Sequence, residues 1–316
     1  MMRFVLSTCC CLFLLVSCKQ DAVWEDLSPP AKSPVYDLYF IAADTGFAAG
    51  GIDYFSEKKS YTQDGGLTWD SLPSLYGQAV LGIDFSPKKN IGYTSGIAGR
   101  ILRTRDRGNR WDLTQTFLFH DLHAVAAISD TVALVAGGGS RGEGEIWKTK
   151  DSGDNWDVST FDFELRDIYF PNSTRGFACG YAAVIRTEDA GQSWEELDVE
   201  GDLFSAIHFP HPDTGYVVGF SGEIARTYDG GDSWTTLRSA SAFVQDRHHY
   251  HDILFRSGTE GYVVGKNGLI LFTQNAGRSW KKLEAPQKDD FYTASFNPDG
   301  SLWIAGEAGE VFRLEE

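Results

Sequence analysis

One eight-residue motif, Thr-x-Asp-x-Gly-x-x-Trp, recurs through the 316-residue chain at a nearly constant interval. The third position carries the acid or its amide, at Asp64, Asp106, Asp151, Asp189, Asp229 and Asn275. The tryptophans that end the copies lie 38 to 46 residues apart, at Trp69, Trp111, Trp156, Trp194, Trp234 and Trp280. This period is typical of a four-stranded propeller blade.

Each repeat contains four short segments with the composition of β-strands. In the fifth repeat they are residues 206–209, 214–219, 222–227 and 233–237, and turn residues separate them. The motif lies between the third and fourth segments, where an Asp or Asn oxygen can accept backbone hydrogen bonds and Gly can adopt a positive φ. The Trp then enters the fourth strand and can bury its ring between neighbouring blades. We therefore predict an all-β chain in which the repeated Asp residues have structural roles.

The two ends of the chain complement each other. Trp24 has the pattern of a fourth strand without the three strands that should precede it. Residues 292–296, 302–306 and 310–314 supply strands one to three, with no fourth strand after them. Pairing the ends would close the ring and cover exposed strand edges. The sequence thus predicts one seven-bladed propeller over residues 22–316, closed by an N-terminal strand.

The first 18 residues have the pattern of an export signal. Arg3 precedes an uncharged run at 4–17, which has the length of a signal-peptide core and is too short to span a bilayer. The run ends in Leu15-Val16-Ser17-Cys18, which resembles a bacterial lipobox. That resemblance implies a signal peptide at 1–17, acylation of Cys18 and a lipidated N-terminus at 18–21. Ordinary secretion is the alternative.

The localisation expected from this pattern is the bacterial cell envelope. Several acyl chains on Cys18 would anchor the protein firmly. In Gram-negative lipoproteins, a residue such as Lys19 in place of Asp after the acylated Cys implies sorting to the outer membrane. The periplasmic and surface-facing leaflets both remain open.

Charge and cysteine content limit the partners. The formal net charge is -16, so nucleic acid would be repelled and any membrane attachment must come from the lipid. Four of the 5 cysteines precede the predicted propeller, which leaves Cys179 without a disulfide partner in the body of the chain. We expect a monomer without a cofactor.

A second pattern, Gly-x-x-Gly, precedes strand three at residues 96–99, 219–222, 265–268 and 306–309. With six copies of the Thr-x-Asp-x-Gly-x-x-Trp motif, known as the Asp-box, the chain resembles the photosystem II stability/assembly factor-like Asp-box propellers. This group is distantly related to sortilin-type and BNR-repeat domains, and the resemblance covers residues 22–316. It implies a non-catalytic propeller that binds or assembles proteins, since members in photosynthetic cells are assembly chaperones for membrane-protein intermediates.

Residues that differ between blades are the candidates for function, because a residue type present in every blade is explained by the blade itself. Alignment of the strand-one starts gives one residue per blade at Tyr36, Leu81, His123, Arg166, Ser205, His251 and Tyr292. They should surround one mouth of the central channel and could bind a peptide or a small anion. By the same reasoning, the basic residues that recur in strand three form a structural or solvated set, at Arg103, Lys148, Arg186, Arg226 and Arg313.

Three other patterns in the sequence suggest a cofactor, a metal ion or catalysis. Residues 137–142 match Gly-x-Gly-x-x-Gly but precede a strand instead of a helix, which favours an enlarged turn over a dinucleotide site. His248, His249 and His251 are potential metal ligands, although a polar loop entering strand one of the sixth blade is favoured and no metal site is predicted. Asp-boxes also occur in sialidases, but the Phe-Arg-x-Pro segment of those enzymes is missing here.

The function expected from the sequence is therefore a non-catalytic, lipid-anchored scaffold that binds or assembles envelope or membrane proteins. The alternative is a glycan-active, sialidase-like enzyme or a glycan-binding propeller.

Overall fold

The structure is a computed structural model that describes residues 22–29, 32–74, 77–115, 120–139, 142–201, 203–238 and 249–315. In these residues, twenty-eight β-strands form seven four-stranded antiparallel sheets, the blades. Each innermost strand contacts the innermost strands of the two adjacent blades, and the contacts run around a complete ring. The predicted signal peptide and the lipidated segment lie outside the described residues.

The strands occupy the same four positions in every blade. The innermost strands of blades 1 to 7 are β2 (Val35–Phe40), β6 (Val80–Phe85), β10 (Asp121–Ala127), β14 (Leu165–Tyr169), β18 (Phe204–His211), β22 (Tyr250–Phe255) and β26 (Phe291–Phe296). The second strands are β3 (Gly46–Ile52), β7 (Gly92–Gly96), β11 (Ala133–Gly139), β15 (Gly176–Gly180), β19 (Thr214–Gly219), β23 (Gly261–Gly265) and β27 (Leu302–Gly306). The third strands are β4 (Ser56–Thr62), β8 (Arg100–Thr104), β12 (Glu143–Thr149), β16 (Ala183–Thr187), β20 (Ile224–Thr227), β24 (Leu269–Thr273) and β28 (Val311–Glu315). The outermost strands are β5 (Asp70–Ser71), β9 (Asp112–Gln115), β13 (Asp157–Phe161), β17 (Glu195–Leu197), β21 (Thr235–Arg238), β25 (Lys281–Lys282) and, in blade 7, β1 (Val23–Asp26).

The N-terminal strand closes the ring, which confirms the predicted architecture. β1 pairs with β28 in antiparallel register, with Trp24 opposite Leu314. The Trp24 indole donates a hydrogen bond to the carbonyl of Glu284 at 3.0 Å, which ties blade 7 to blade 6. On the other side, the Trp69 indole of blade 1 donates to the carbonyl of Leu27 at 2.7 Å. The first residues of the described chain therefore join both ends of the ring.

The Asp-box is a hydrogen-bonded turn. In blade 4, the Thr187 hydroxyl donates to Oδ1 of Asp189 at 2.8 Å and accepts the N–H of Gly191 at 2.8 Å. The same Asp189 oxygen accepts the N–H of Ser193 at 2.9 Å. Gly191 has φ +78, and a Cβ there would lie 2.3 Å from a methyl group of Leu134 in blade 3. Glycine is thus required both by the turn and by the close approach of two blades.

Aromatic residues fill the spaces between blades. Phe177 of blade 4 stacks on Phe209 of blade 5 with 3.8 Å between the ring centroids, and Tyr216 stacks on Phe255 of blade 6 at 3.9 Å. The Asp-box Trp234 meets Phe209 edge-on at 6.1 Å. The hydrophobic core is therefore a series of clusters between neighbouring blades, and each blade depends on both neighbours for burial of its faces.

Chain direction gives the ring two different faces. The innermost strands begin on one face, named here the mouth face, which also carries the turns between second and third strands. The third strands end on the opposite face, named here the Asp-box face, where all six Asp-boxes lie. Val23 begins β1 on the Asp-box face, opposite Glu315.

Three aspartates at one register position bridge neighbouring innermost strands, and we call them the carboxylate belt: Asp37, Asp167 and Asp252. Each accepts one backbone N–H from its own strand and one from the next blade, at 2.7 to 2.8 Å. Asp84, two positions further along its strand, makes the same bridge to Ala127. Channel water reaches part of these side chains, but the enclosing protein disfavours their charge. Burial raises the pKa of Asp37 to about 8 and that of Asp252 to about 7.

The Asp-box hydrogen bonds predict a measurable stability loss for Asp189→Ala. The substitution leaves the turn N–H groups without their acceptor, so the free energy of unfolding should fall by about 1 to 3 kcal/mol in urea titrations. Asp189→Asn should lose clearly less, because Asn275 makes the equivalent turn and accepts the N–H of Ser279 at 2.9 Å. Equal losses in the two variants would contradict this account of the turn.

The carboxylate belt predicts that the melting temperature falls as the pH rises from about 6.5 to about 8. A carboxyl whose pKa is higher in the folded chain stabilises the fold at acid pH, and that contribution is lost as the pH rises through the folded pKa. The lower limit avoids most of the opposite contribution of His208, because burial lowers its pKa to about 4 and the stability that it adds with rising pH accrues mainly below its usual pKa of 6.5. The upper limit avoids Lys59, because burial lowers its pKa to about 8 and so adds stability above that pH.

Circular dichroism melts in one buffer system measure this trend. Asp37→Asn removes one titrating group and should flatten it, whereas Asp44→Asn, on the exposed Asp-box face, should leave it unchanged. A melting temperature that rises across the same interval in the unmodified protein would contradict the raised pKa values.

Candidate functional site

The seven strand-one starts come together at the mouth face. All of them line one cavity of about 400 Å³, which we call the mouth cavity: Tyr36, Leu81, His123, Arg166, Ser205, His251 and Tyr292. Five further residues complete the lining, namely Asp53, Tyr54, Ile97, Asp121 and Phe220. Three of these lie in turns, Ile97 lies in a short 3-10 helix (Ile97–Gly99), and Asp121 begins β10 two residues before His123, so the alignment could not identify them. Whether the cavity binds a ligand stays a prediction.

One side of the mouth cavity is aromatic. Tyr36 of blade 1 and Tyr292 of blade 7 stack with 5.2 Å between ring centroids and an interplanar angle of 18°. His251 lies 5.3 Å from the Tyr292 ring, and Phe220 packs edge-on against His251 at 6.0 Å. Burial lowers the pKa of His251, so its imidazole is neutral at pH 7. This wall presents ring faces and edges from blades 5, 6, 7 and 1.

The opposite side is an ion-paired cluster. Oε1 of Glu164 lies 2.8 Å from the Arg166 guanidinium and 3.1 Å from Nε2 of His123. Burial disfavours the Glu164 charge, but the hydrogen bond from His123 and the charge of Arg166 outweigh it and hold the pKa of Glu164 below its usual value. The charge of Arg166 is therefore already balanced inside the protein. This pairing weakens the expectation that Arg166 captures a small anion.

Two carboxylates lie at the rim of the cavity. The Tyr36 hydroxyl donates to Oδ1 of Asp53 at 3.4 Å, and Oδ1 of Asp121 accepts the N–H of Ala98 at 2.9 Å. Burial and the Asp53 charge together raise the pKa of Tyr36 to about 12. The rim thus carries negative charge beside aromatic rings.

The rim also carries exposed apolar side chains on the turn between β3 and β4. Phe55 is 84% exposed and Tyr54 is 61% exposed. The two side chains are adjacent, and together they widen the apolar surface at the entrance to the mouth cavity.

The channel continues below the mouth through the carboxylate belt. A cavity of about 200 Å³ is lined by both the strand-one starts and the belt, and one of about 630 Å³ opens towards the Asp-box face. The belt was not among the residues predicted from the sequence, although Asp37, Asp167 and Asp252 each directly follow a residue that lines the mouth cavity. Reading the same alignment one position later would have found them.

The repeated residues contact one another, not the mouth cavity. The Asp-boxes lie on the face of the ring opposite to the mouth cavity. Arg103 of blade 2 donates to Asp154 of blade 3 at 2.7 Å, and Arg186 of blade 4 donates to Asp232 of blade 5 at 2.6 Å. Arg226 donates to the carbonyl of Ala276 in the next blade. These contacts support a structural role for the strand-three bases.

The glycine run and the histidine cluster also have positions in the blades. Gly137 and Gly138 belong to β11, and a Cβ on Gly137 would lie 2.1 Å from the carbonyl oxygen of Asp121, so close strand packing explains this glycine. His249 faces Phe220 at 6.0 Å, while His248 lies outside the described residues. Within the described ranges, no three His, Cys, Asp or Glu side chains are grouped to hold a metal ion.

Comparisons with known proteins agree with this architecture. The model of the family "Photosynthesis system II assembly factor YCF48" matches residues 16–162 and 196–290, well over half of the chain. Among curated protein sequences, none matches significantly.

Solved structures share the fold at low sequence identity. YCF48 bound to a D1 peptide is 22% identical with a TM-score of 0.72, and the alignment covers 93% of this chain and 97% of that one. YCF48 from Cyanidioschyzon merolae is 16% identical with a TM-score of 0.71, covering 92% and 98%. The structure of U3-55K is 12% identical with a TM-score of 0.70, covering 93% and 98%. The family match over both halves of the ring shows that this chain belongs to the photosystem II assembly factor YCF48 family.

Proposed function

We propose that this protein is a non-catalytic propeller that binds an extended segment of an envelope or membrane protein at its mouth cavity. One observation carries the proposal: the strand-one starts, whose residue type varies between blades, meet in one cavity. The repeated residues hold blades and turns together elsewhere. A rigid ring with variable residues at one opening is an arrangement suited to recognition.

The comparisons support binding over catalysis. The chain belongs to a family named for assembly factors, and one structure that shares its fold contains a peptide of the D1 protein. By analogy, the segment bound here would also be peptide. The analogy identifies a class of ligand and no particular partner.

The glycan-active alternative would need free carboxyl groups. Both oxygens of each belt aspartate accept backbone N–H groups, in Asp37 from Leu38 and Ile83. Each oxygen keeps a second lone pair, but the two bridges fix the carboxyl group between blades, whereas a general acid or a nucleophile in a glycosidase must reach the glycosidic bond. The engagement of the belt in bridges between blades therefore favours a structural role.

We further propose that acylated Cys18 anchors the propeller with its Asp-box face towards the bilayer. The described residues contain no helix with the length and apolarity needed to cross a membrane. Val23 lies on the Asp-box face, and the five residue steps from Cys18 reach at most about 18 Å. The mouth cavity would then point away from the membrane, towards soluble segments of envelope proteins.

Site-specific photo-cross-linking in intact cells tests the binding surface. Benzoylphenylalanine placed at Tyr54, on the rim of the mouth cavity, should capture the partner. The same group at Tyr228, which is 54% exposed on the Asp-box face, is a matched control and should not. Mass spectrometry of the adducts identifies the partner. Adducts formed at Tyr228 and not at Tyr54 would place binding on the other face and overturn the proposal.

Membrane fractionation tests the anchor. Cys18→Ala should move the protein from the membrane fraction to the soluble fraction, because acylation at that position would be lost. Cys179→Ala is the matched control, since Cys179 is buried within blade 4 and should not affect fractionation. A Cys18→Ala protein that stays with membranes after a high-salt wash would show that the anchor is elsewhere.

A further inference from the structure

We propose that the mouth cavity selects a cationic group, the ammonium of a lysine or the guanidinium of an arginine, in the peptide segment that it binds. This inference rests on the proposed function and adds the chemistry of recognition. Three independent features of the cavity support it: its aromatic wall, the balance of charges in its lining, and its size.

The aromatic wall offers a surface to which cations bind. Tyr36 and Tyr292 stack nearly parallel, and the neutral imidazole of His251 and the ring of Phe220 extend the same wall. The negative face of an aromatic ring attracts a Lys or Arg cation that lies within about 6 Å of its centroid. Residues from four blades contribute to this wall, so it forms only in the closed ring.

The charge balance of the lining excludes an anion as the preferred ligand. Among the described residues that line the cavity, Arg166 is the one Lys or Arg. Its guanidinium already pairs with Glu164 at 2.8 Å. Asp53 and Asp121 have no cationic side chain as an ion-pair partner among the contacts of the described residues, and Asp53 is exposed at the rim. The cavity therefore keeps an excess of negative charge beside its aromatic wall. The formal net charge of -16 would also draw cationic segments towards the protein.

Nearby negative charge also contributes to the raised pKa values of two tyrosine hydroxyls in the cavity. The charge of Asp121 is the main cause of the raised pKa of Tyr54, which is otherwise exposed to water. Burial, followed by the charge of Glu307, raises the pKa of Tyr292. A field that disfavours a phenolate also favours an ammonium or a guanidinium in the same space.

The cavity has room for such a side chain. Its volume of about 400 Å³ lies within the range of small-ligand pockets. The entrance adds the exposed rings of Tyr54 and Phe55, against which the aliphatic stem of Lys or Arg can pack. Below the mouth lies the smaller cavity of about 200 Å³ that the carboxylate belt also lines, so we expect a single side chain to enter while the peptide backbone stays at the mouth face.

Fluorescence anisotropy with three synthetic peptides tests the inference on the mature protein with Cys18→Ala. The probes are fluorescein-labelled hexapeptides, acetylated and amidated, with the same glycine and serine residues around a central lysine, norleucine or glutamate. Norleucine keeps the aliphatic stem and removes the charge. The lysine peptide should bind roughly threefold to thirtyfold more tightly than the norleucine peptide, and the glutamate peptide should bind most weakly.

Two pairs of variants assign the effect to the mouth cavity. Asp53→Asn should weaken the lysine peptide several-fold without changing the norleucine peptide, whereas Asp44→Asn on the Asp-box face should change neither. Tyr292→Phe keeps the ring face and should retain binding, whereas Tyr292→Ala should lose the preference for lysine. Melting curves of all four variants show whether a lost preference reflects unfolding.

The results separate this inference from the function on which it rests. If the norleucine or glutamate peptide binds as tightly as the lysine peptide, and Tyr292→Ala still weakens it, then the mouth cavity binds peptides but does not select cations. If no peptide binds at millimolar concentration, the inference is also overturned. The Tyr54 and Tyr228 cross-links judge the binding surface in either case, because they do not depend on the charge of the ligand.

Discussion

Burial between blades is the constraint on which the rest of this structure depends. A single four-stranded sheet leaves both faces exposed, and here each blade covers its faces only against its two neighbours, as in the stacked rings of Phe177 and Phe209. A linear row of blades would leave two apolar faces and two strand edges in water. Pairing β1 with β28 closes the ring and so covers these faces and edges. The Trp24 indole then hydrogen-bonds to Glu284 of blade 6, and the Trp69 indole of blade 1 hydrogen-bonds to Leu27, which follows β1.

The same constraint separates structural residues from residues that are free to vary. The Asp-box threonine, the aspartate and the positive-φ glycine build each turn, and Arg103, Arg186 and Arg226 of the third strands reach the next blade. These residues recur in most blades because the junctions between blades are built alike. The strand-one starts line the mouth cavity and contact one another across blades, as Tyr36 does with Tyr292, but they take no part in the Asp-box turns, so each blade can present a different side chain. Recognition at the mouth cavity is therefore compatible with a scaffold made of repeats.

The sequence predicted the repeats, the four strands of each blade, the seven blades and the closing strand, because all of these follow from local patterns with a regular period. Alignment of the strand-one starts also predicted that seven residues lie at one mouth of the channel, where they line the mouth cavity. It could not predict the pairing of Glu164 with Arg166, because Glu164 lies two residues upstream in a blade connection and its geometry depends on His123 from the previous blade. Asp53 and Phe220 were missed for a similar reason, since turns of different lengths carry them to the rim. The alignment could have identified the aspartates of the carboxylate belt. The hydrogen bonds from their oxygens to the next blade are visible only in the folded structure.

The central claim is that a ring of repeated blades holds a recognition site at one opening. Hydrogen–deuterium exchange of the intact protein, with and without the partner that co-purifies from detergent-solubilised envelopes, tests it most directly. We predict that the partner slows exchange at the β3–β4 turn and at the starts of β14, β22 and β26, while the Asp-box turns exchange at unchanged rates. Protection confined to the Asp-box turns, with the mouth face unaffected, would contradict the account.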